Sequence, residues 1–245
     1  RGNAIEFNEG ADQMGVDVMR WLYLKHNPAQ NLNFGYRLGD EVRRQFLLPL
    51  WNSYAFFANY AALDGFNPFE HDVPLAERTM LDRWIISRLQ EVTRVVRDRI
   101  ADYDSLTAAR TLENFVVDEL SQWYIRRNRR RFWKTESDRD KIAAYLTLYE
   151  VLVDTTKMLA PFVPYITETM YENLVRSVDP SAPVSVHLTD FPEVDESKID
   201  ADLTRDMAAL INVVGLGRAA RSKANVKVRQ PLGRVLVGIE RFSLL

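Results

Sequence analysis

Apolar residues recur every three or four positions along most of this chain, and the clearest run begins near Leu81. Ile85, Leu89, Val92, Val96 and Ile100 form one stripe, while Arg83, Glu91, Arg94, Arg97 and Asp98 fall largely off it. That is the pattern of a long helix with one face in a core and the other in water. DYDS at 102–105 supplies a turn and a cap, because short polar side chains bond the exposed N–H groups of a helix start. A second long helix is predicted through Leu112, Val116, Leu120 and Trp123, and a third from Asp138 through Ile142, Tyr145, Leu148, Leu152 and Thr155 to Leu159. Pro161 is placed to open a fourth, with Ile166, Met170 and Leu174, since a first-turn proline gives up no helical hydrogen bond.

Before this set, Asn8 or Asp12 opens a short helix with Val16, Met19 and Trp21 to Leu24 on its apolar side, and His26, Asn27 and Pro28 end it. Residues 30–40 read as a loop. Helical spacing resumes from Glu41 to Leu63 through Val42, Phe46, Leu50, Tyr54, Phe57 and Tyr60, with a kink expected at Pro49. Residues 65–74 read as a connector. The character changes after residue 178, with prolines, a short alternating piece VSVHL at 184–188 and an acidic loop. A helix is then predicted from Ile199 to Arg221, and RVLVGI at 234–239 reads as a strand whose partner would lie past Leu245. The expected fold is mainly α, a helix bundle with a small, partly α/β C-terminal extension.

Composition narrows the chemistry. The 245 residues contain no cysteine, which excludes disulfides and thiolate metal sites here. No apolar run is long enough to cross a bilayer, and no secretory signal pattern stands at residue 1. His26, His71 and His187 are scattered without metal-ligand spacing. GLGRAARSK at 215–223 fits neither a dinucleotide nor a Walker pattern, so its glycines are expected to allow close packing or a bend. No nucleophile, base and orienting acid come together.

The formal net charge of -2 argues against a nucleic-acid partner, but its distribution argues the other way. SQWYIRRNRRRFWK at 121–134 has five arginines, one lysine and no acid. On α-helical spacing Arg127, Arg130, Arg131 and Lys134 share a face with Trp123, Leu120 and Val116, so the helix either runs out past the bundle or bends near Asn128. Asp118 and Glu119, one turn earlier, read as counter-charges to the cluster. From Met207 to Ile239 no acid occurs, while Arg218, Arg221, Lys223, Lys227, Arg229 and Arg234 do. Two readings stand: solvated helix ends, or a phosphate-binding surface in which arginine forks meet phosphate oxygens.

DELSQWYIRRNRRRFWK at 118–134 resembles the anticodon-binding helical domain of the isoleucyl-tRNA synthetase family. Arg1-Gly2-Asn3 resembles the end of the mobile ATP-binding loop KMSKSRGN of class I synthetases. GADQMGVDVMRWLYL at 10–24 resembles the stem-contact segment after that loop, and LAPFVPYITETMYENL at 159–174 a late bundle helix of the isoleucine, valine and leucine enzymes. SKANVKVRQPLGRVLV at 222–237 resembles the isoleucine enzyme's junction to its C-terminal region.

The resemblance implies the anticodon-binding helix bundle of class I aminoacyl-tRNA synthetases. It places a stem-contact segment at 1–36, the bundle at 37–177, and a linker, helix and start of the junction at 178–245. It implies a cytoplasmic, monomeric, non-membrane parent that ligates isoleucine to its tRNA with ATP and Mg2+, with any structural zinc outside these residues. The chain itself is expected to lack the catalytic domain, to bind no cofactor and to be inactive alone. Its partners would be that catalytic domain and the anticodon arm of the isoleucine tRNA. The implied tRNA-binding residues are Trp123, Arg126, Arg127, Arg129, Arg130, Arg131, Lys134, Arg218, Arg221, Lys223, Lys227 and Arg229. The alternatives are the matching part of a valyl- or leucyl-type synthetase, a non-catalytic helical RNA-binding module, and a bundle enzyme with an unrecognised site.

Overall fold

Thr79 and Asp82 start a long central helix by capping one another: Thr79 Oγ1 accepts from the Asp82 N–H, and Asp82 Oδ2 accepts from the Thr79 N–H. Such a reciprocal cap satisfies two backbone donors that the first turn would leave open. The structure, a computed structural model, describes residues 5–27, 29–32, 34–133 and 138–238. Ten α-helices are found among them. α1 is Phe7–Met14, α2 Val16–Leu24, α3 Tyr36–Val42, α4 Leu48–Asp64, α5 Met80–Ala101, α6 Ser105–Asn114, α7 Arg126–Trp133, α8 Asp138–Leu159, α9 Pro164–Tyr171 and α10 Ala201–Lys223.

The first predicted helix is two. Glu6, not Asn8 or Asp12, caps α1, and Gly15 at φ 88 breaks the chain before α2, a conformation that costs glycine little. The predicted loop at 30–40 ends early, because α3 begins at Tyr36 and runs through π-helical turns at Arg43–Leu47 into α4. Pro49 falls just after those π-helical turns, within the unbroken helical run that leads into α4. The fourth predicted helix opens at Pro164, not Pro161. Asp17 of α2 accepts from the N–H groups of Ile166 at 2.7 Å and Tyr165 at 3.4 Å, so the start of α9 is capped from a distant helix.

The apolar stripes meet in one continuous core. Ile85, Leu89 and Val96 of α5, Leu112 of α6 and Leu148 and Leu152 of α8 are fully buried in it. α2 joins that core: Trp21 stacks on Phe46 with ring centroids 4.0 Å apart, and its indole N–H donates to Glu113 at 3.0 Å. Lys25 also pairs with Glu113, and Arg20 donates to the carbonyls of Pro161 and Phe162. Gly39 of α3 lies so close to α1 that a Cβ there would meet Met14 Sδ at 2.5 Å.

The segment before α10 lies along α5 in the opposite direction. Arg97 holds the Pro192 carbonyl, Gln90 the Asp195 N–H and Ser87 the Asp200 N–H. α10 then buries Thr204 and Met207 against the bundle, and Leu216 further along is 63% exposed. The expected α/β extension is absent: no strand occurs among the described residues. Val186–Leu188 forms a 3-10 turn, and Glu168 takes the Val186 N–H that a ladder would need. Residues 234–238 have no regular structure and are exposed, Leu236 at 80%. No neighbouring strand supplies the backbone bonds that would define a ladder. Ile239 lies outside the described residues. No helix among the described residues is long and apolar enough to cross a membrane.

Asp154 of α8 makes stability fall as pH rises. Burial pushes its carboxyl up to about 6, Lys157 and Lys198 pull it back and Glu150 adds to the rise; Arg97, Asp190 and Glu193 line the same hollow. The folded state therefore holds a proton that the unfolded chain releases between pH 3.8 and about 6, and the stability from that proton is lost as pH passes 6. Asp154→Asn is expected to stabilise the fold by about 1–2 kcal/mol at pH 7.5 and by little at pH 4.5. Urea unfolding at the two pH values checks the difference.

Candidate nucleic-acid interface

The basic run is delivered by an unusual piece of helix. α6 continues through π-helical turns at Phe115–Ile125 and becomes α7 without interruption. The i→i+5 bonding of these turns widens the helix, and Phe115, Val116, Leu120, Trp123, Tyr124 and Ile125 all reach the core. α7 then turns a narrow face inward. Phe132 is fully buried edge-on between Phe56 and Tyr145, each with its ring centroid 5.0 Å away. Asn128, four residues earlier, is 4% exposed and donates to the Tyr124 carbonyl at 3.0 Å. Asn128 and Phe132 thus keep α7 packed against the bundle.

With Asn128 and Phe132 inward, Arg126, Arg127, Arg129 and Arg130 are exposed. None of the four has a carboxylate partner among the described residues. Their nearest aromatic surfaces are Trp123, with the Arg127 guanidinium carbon 3.1 Å from its ring centroid, and Phe56, 5.8 Å from that of Arg129. Trp133 is 51% exposed beside Tyr60. The predicted counter-charges are engaged elsewhere or stand apart: Glu119 pairs with Arg88 of α5 at 2.8 Å, and Asp118 is exposed.

Arg131 differs from its neighbours. Its two terminal nitrogens donate to the two oxygens of Asp82, each at 2.9 Å, and it also pairs with Asp140 at 2.7 Å. Asp82 is fully buried and takes a third side-chain bond from the Tyr124 hydroxyl at 2.5 Å. Burial alone lowers the Arg131 pKa, yet Asp82 and Asp140 hold it above the ordinary arginine range. Burial, and then the Asp82 charge, push the Tyr124 hydroxyl well up. This lock was not anticipated from the sequence, although the T-x-x-D spacing of Thr79 and Asp82 is a capping signal there to be read.

The second basic cluster meets the first at one point. Burial lowers the Arg127 pKa, and the charges of Arg218 and Arg126 lower it further, so α10 brings Arg218 within electrostatic reach of α7. Lys223, Lys227 and Arg229 are exposed farther along. Arg221 turns back on its own chain and donates to the carbonyls of Lys227, Val228 and Gln230. A Cβ at Gly215 or Gly217 would meet nothing within 4 Å, so close packing does not explain these glycines. Lys134, like Arg1, Gly2 and Asn3, lies outside the described residues.

Other chemistry has little to stand on. Among the described residues no group of three or more His, Asp or Glu side chains is placed to hold a metal ion. Arg88, Glu91 and Glu119 line a hollow beneath α10, but they are paired with one another.

Arg131→Ala is expected to lower the unfolding free energy by about 3 kcal/mol, because the buried Asp82 loses its partner. Arg130→Ala, on the open face, should stay within about 0.5 kcal/mol of the parent chain. Chemical unfolding of both variants checks the contrast, and equal stabilities would contradict the division of this basic run into one anchored and four free arginines.

Comparison with known proteins agrees with this geometry. Residues 82–236 match the family described as the anticodon-binding domain of tRNA ligase, a span that begins at the lock residue Asp82. An isoleucine–tRNA ligase of Dehalococcoides mccartyi is 47% identical over 238 residues, covering 97% of this chain and 23% of the relative. One of Thermus thermophilus is 43% identical over 253 residues, covering 99% and 24%. One of Clostridium tetani is 44% identical, covering 98% and 23%. The chain thus spans about a quarter of the length of these curated relatives, and by its match over residues 82–236, from α5 through α10, it belongs to the anticodon-binding domain family of tRNA ligases.

Proposed function

We propose that this chain is the tRNA-binding portion of an isoleucine–tRNA ligase, and that the outer face of α7 with Arg218 of α10 holds the anticodon arm of the isoleucine tRNA. The observation that carries the reading is the set of four outward arginines on α7, without acidic partners among the described residues, beside a fifth cation from a separate helix. Cations gathered in this way repel one another, and a phosphate backbone relieves that repulsion while releasing its own condensed counterions. The relatives' shared isoleucine name favours that amino acid over the valine and leucine siblings.

Within this reading the residues divide by task. Arg126, Arg129, Arg130 and Arg218 face phosphate, Arg127 lies among them over Trp123, Lys223, Lys227 and Arg229 extend the basic surface, and Arg131 and Arg221 shape the backbone that presents them. Isoleucine activation with ATP and Mg2+ belongs to other parts of the whole enzyme, which we take to be cytoplasmic and monomeric. Phosphate contacts position RNA without reading its sequence, so this face sets the register of the arm and contributes little base discrimination.

Replacing Arg126 and Arg130 together by alanine is expected to weaken binding to all tRNAs roughly alike and to flatten the salt dependence by about 2 in log–log slope. Equilibrium binding at several salt concentrations tests this; unchanged affinity and slope would return these arginines to solvent. The chain alone should leave isoleucine-dependent ATP–pyrophosphate exchange at background in a preparation free of host synthetase.

A further inference from the structure

Arg127 is set apart from the other exposed arginines by what lies under it. Its guanidinium carbon is 3.1 Å from the centroid of the Trp123 ring, a separation at which an upright fork would drive a nitrogen into the indole. The group must therefore lie close to flat, and an Nη1 bond to the Trp123 carbonyl at 3.4 Å holds one edge. Trp123 is itself 7% exposed, so the core holds its ring in place beneath Arg127. Arg127 remains exposed to solvent, within electrostatic reach of the cations Arg126 and Arg218.

We infer that Trp123 and Arg127 are the lower two layers of a stack whose third layer is an unpaired RNA base. Guanidinium planes stack on bases as aromatic rings do, and Arg126 and Arg218, whose charges reach Arg127, supply cations for the adjoining phosphates. The proposal rests on the RNA-binding reading above and adds to it a point of contact with the base itself. Because a π-face is common to all bases, the contact selects an unstacked, single-stranded nucleotide over a paired one and tolerates any sequence. No proton or covalent step is involved. A plain i,i+4 contact on the helix surface, with no role in binding, is the competing account of the same geometry.

The test uses the 245-residue chain, an RNA hairpin with a single-stranded loop, and the same hairpin with an abasic residue at each loop position in turn. Arg127→Lys keeps the charge and removes the plane. It is expected to weaken binding to the intact hairpin about tenfold, within the usual range for loss of one stacked base, while leaving the salt slope as in the parent chain. One abasic position should weaken binding to the parent chain by a similar factor and add no further loss in Arg127→Lys. Parent-like affinity in Arg127→Lys, or abasic losses that are the same with either residue at 127, would overturn the stack while salt-dependent binding still supports the phosphate reading. Hairpin binding by the parent chain without salt dependence would overturn the phosphate reading and the stack with it.

Discussion

The Asp82 carboxylate ties together elements that lie far apart in the chain. It caps α5 through the Thr79 N–H, takes the Tyr124 hydroxyl from the π-helical stretch and both arms of Arg131 from α7, and Arg131 carries the connection on to Asp140 at the start of α8. Removing a charge from water is expensive, and a buried carboxylate is tolerable only when its lone pairs are filled by well-aligned donors. Here they are filled from the helices that must be in register for the basic surface to exist. An apolar contact would accept a small rotation of α7, whereas a two-pronged guanidinium–carboxylate pair does not. The orientation of the exposed arginines of α7 therefore follows from Arg131, which Asp82 holds.

The same division explains how a chain of net charge -2 offers a cationic face. Acids are spent inside or along the flanks: Glu113 on Lys25, Glu119 and Glu91 on Arg88, Asp82 and Asp140 on Arg131. Arg218, which follows in sequence a strongly acidic loop, is carried by α10 away from that loop and towards Arg127. Formal charge sums over the chain, while a polyanion meets only the local field.

Much of the bundle was legible because its helices are long and their stripes regular. Ile85, Leu89, Val92 and Val96 sit in the core as their spacing predicts. What was not legible involves partners far apart in the chain. Arg131 looks identical to Arg130 on paper, and only the approach of Asp82, 49 residues earlier, separates them. Gly39 betrays nothing of Met14, and Pro161 and Pro164 are distinguished only when Asp17 arrives to cap the second. The C-terminal strand failed for the opposite reason: RVLVGI has the composition of a strand, but a strand is a relation between two segments, and the described chain offers no second one. The π-helical turns at Phe115–Ile125 escaped notice because an α-helical reading already accounted for Val116, Leu120 and Trp123.

Those turns bear on which changes in length the domain accepts. A residue added to or taken from Phe115–Ile125, with the i→i+5 bonding kept, would turn everything downstream by one residue's angular step, somewhat less than the roughly 100° of an α-helix. Phe132 and Asn128 would swing out of their seats and arginines would swing in. Substitution of the outer residues between Phe115 and Ile125 leaves that angle alone, so this stretch should drift in composition far more freely than in residue count.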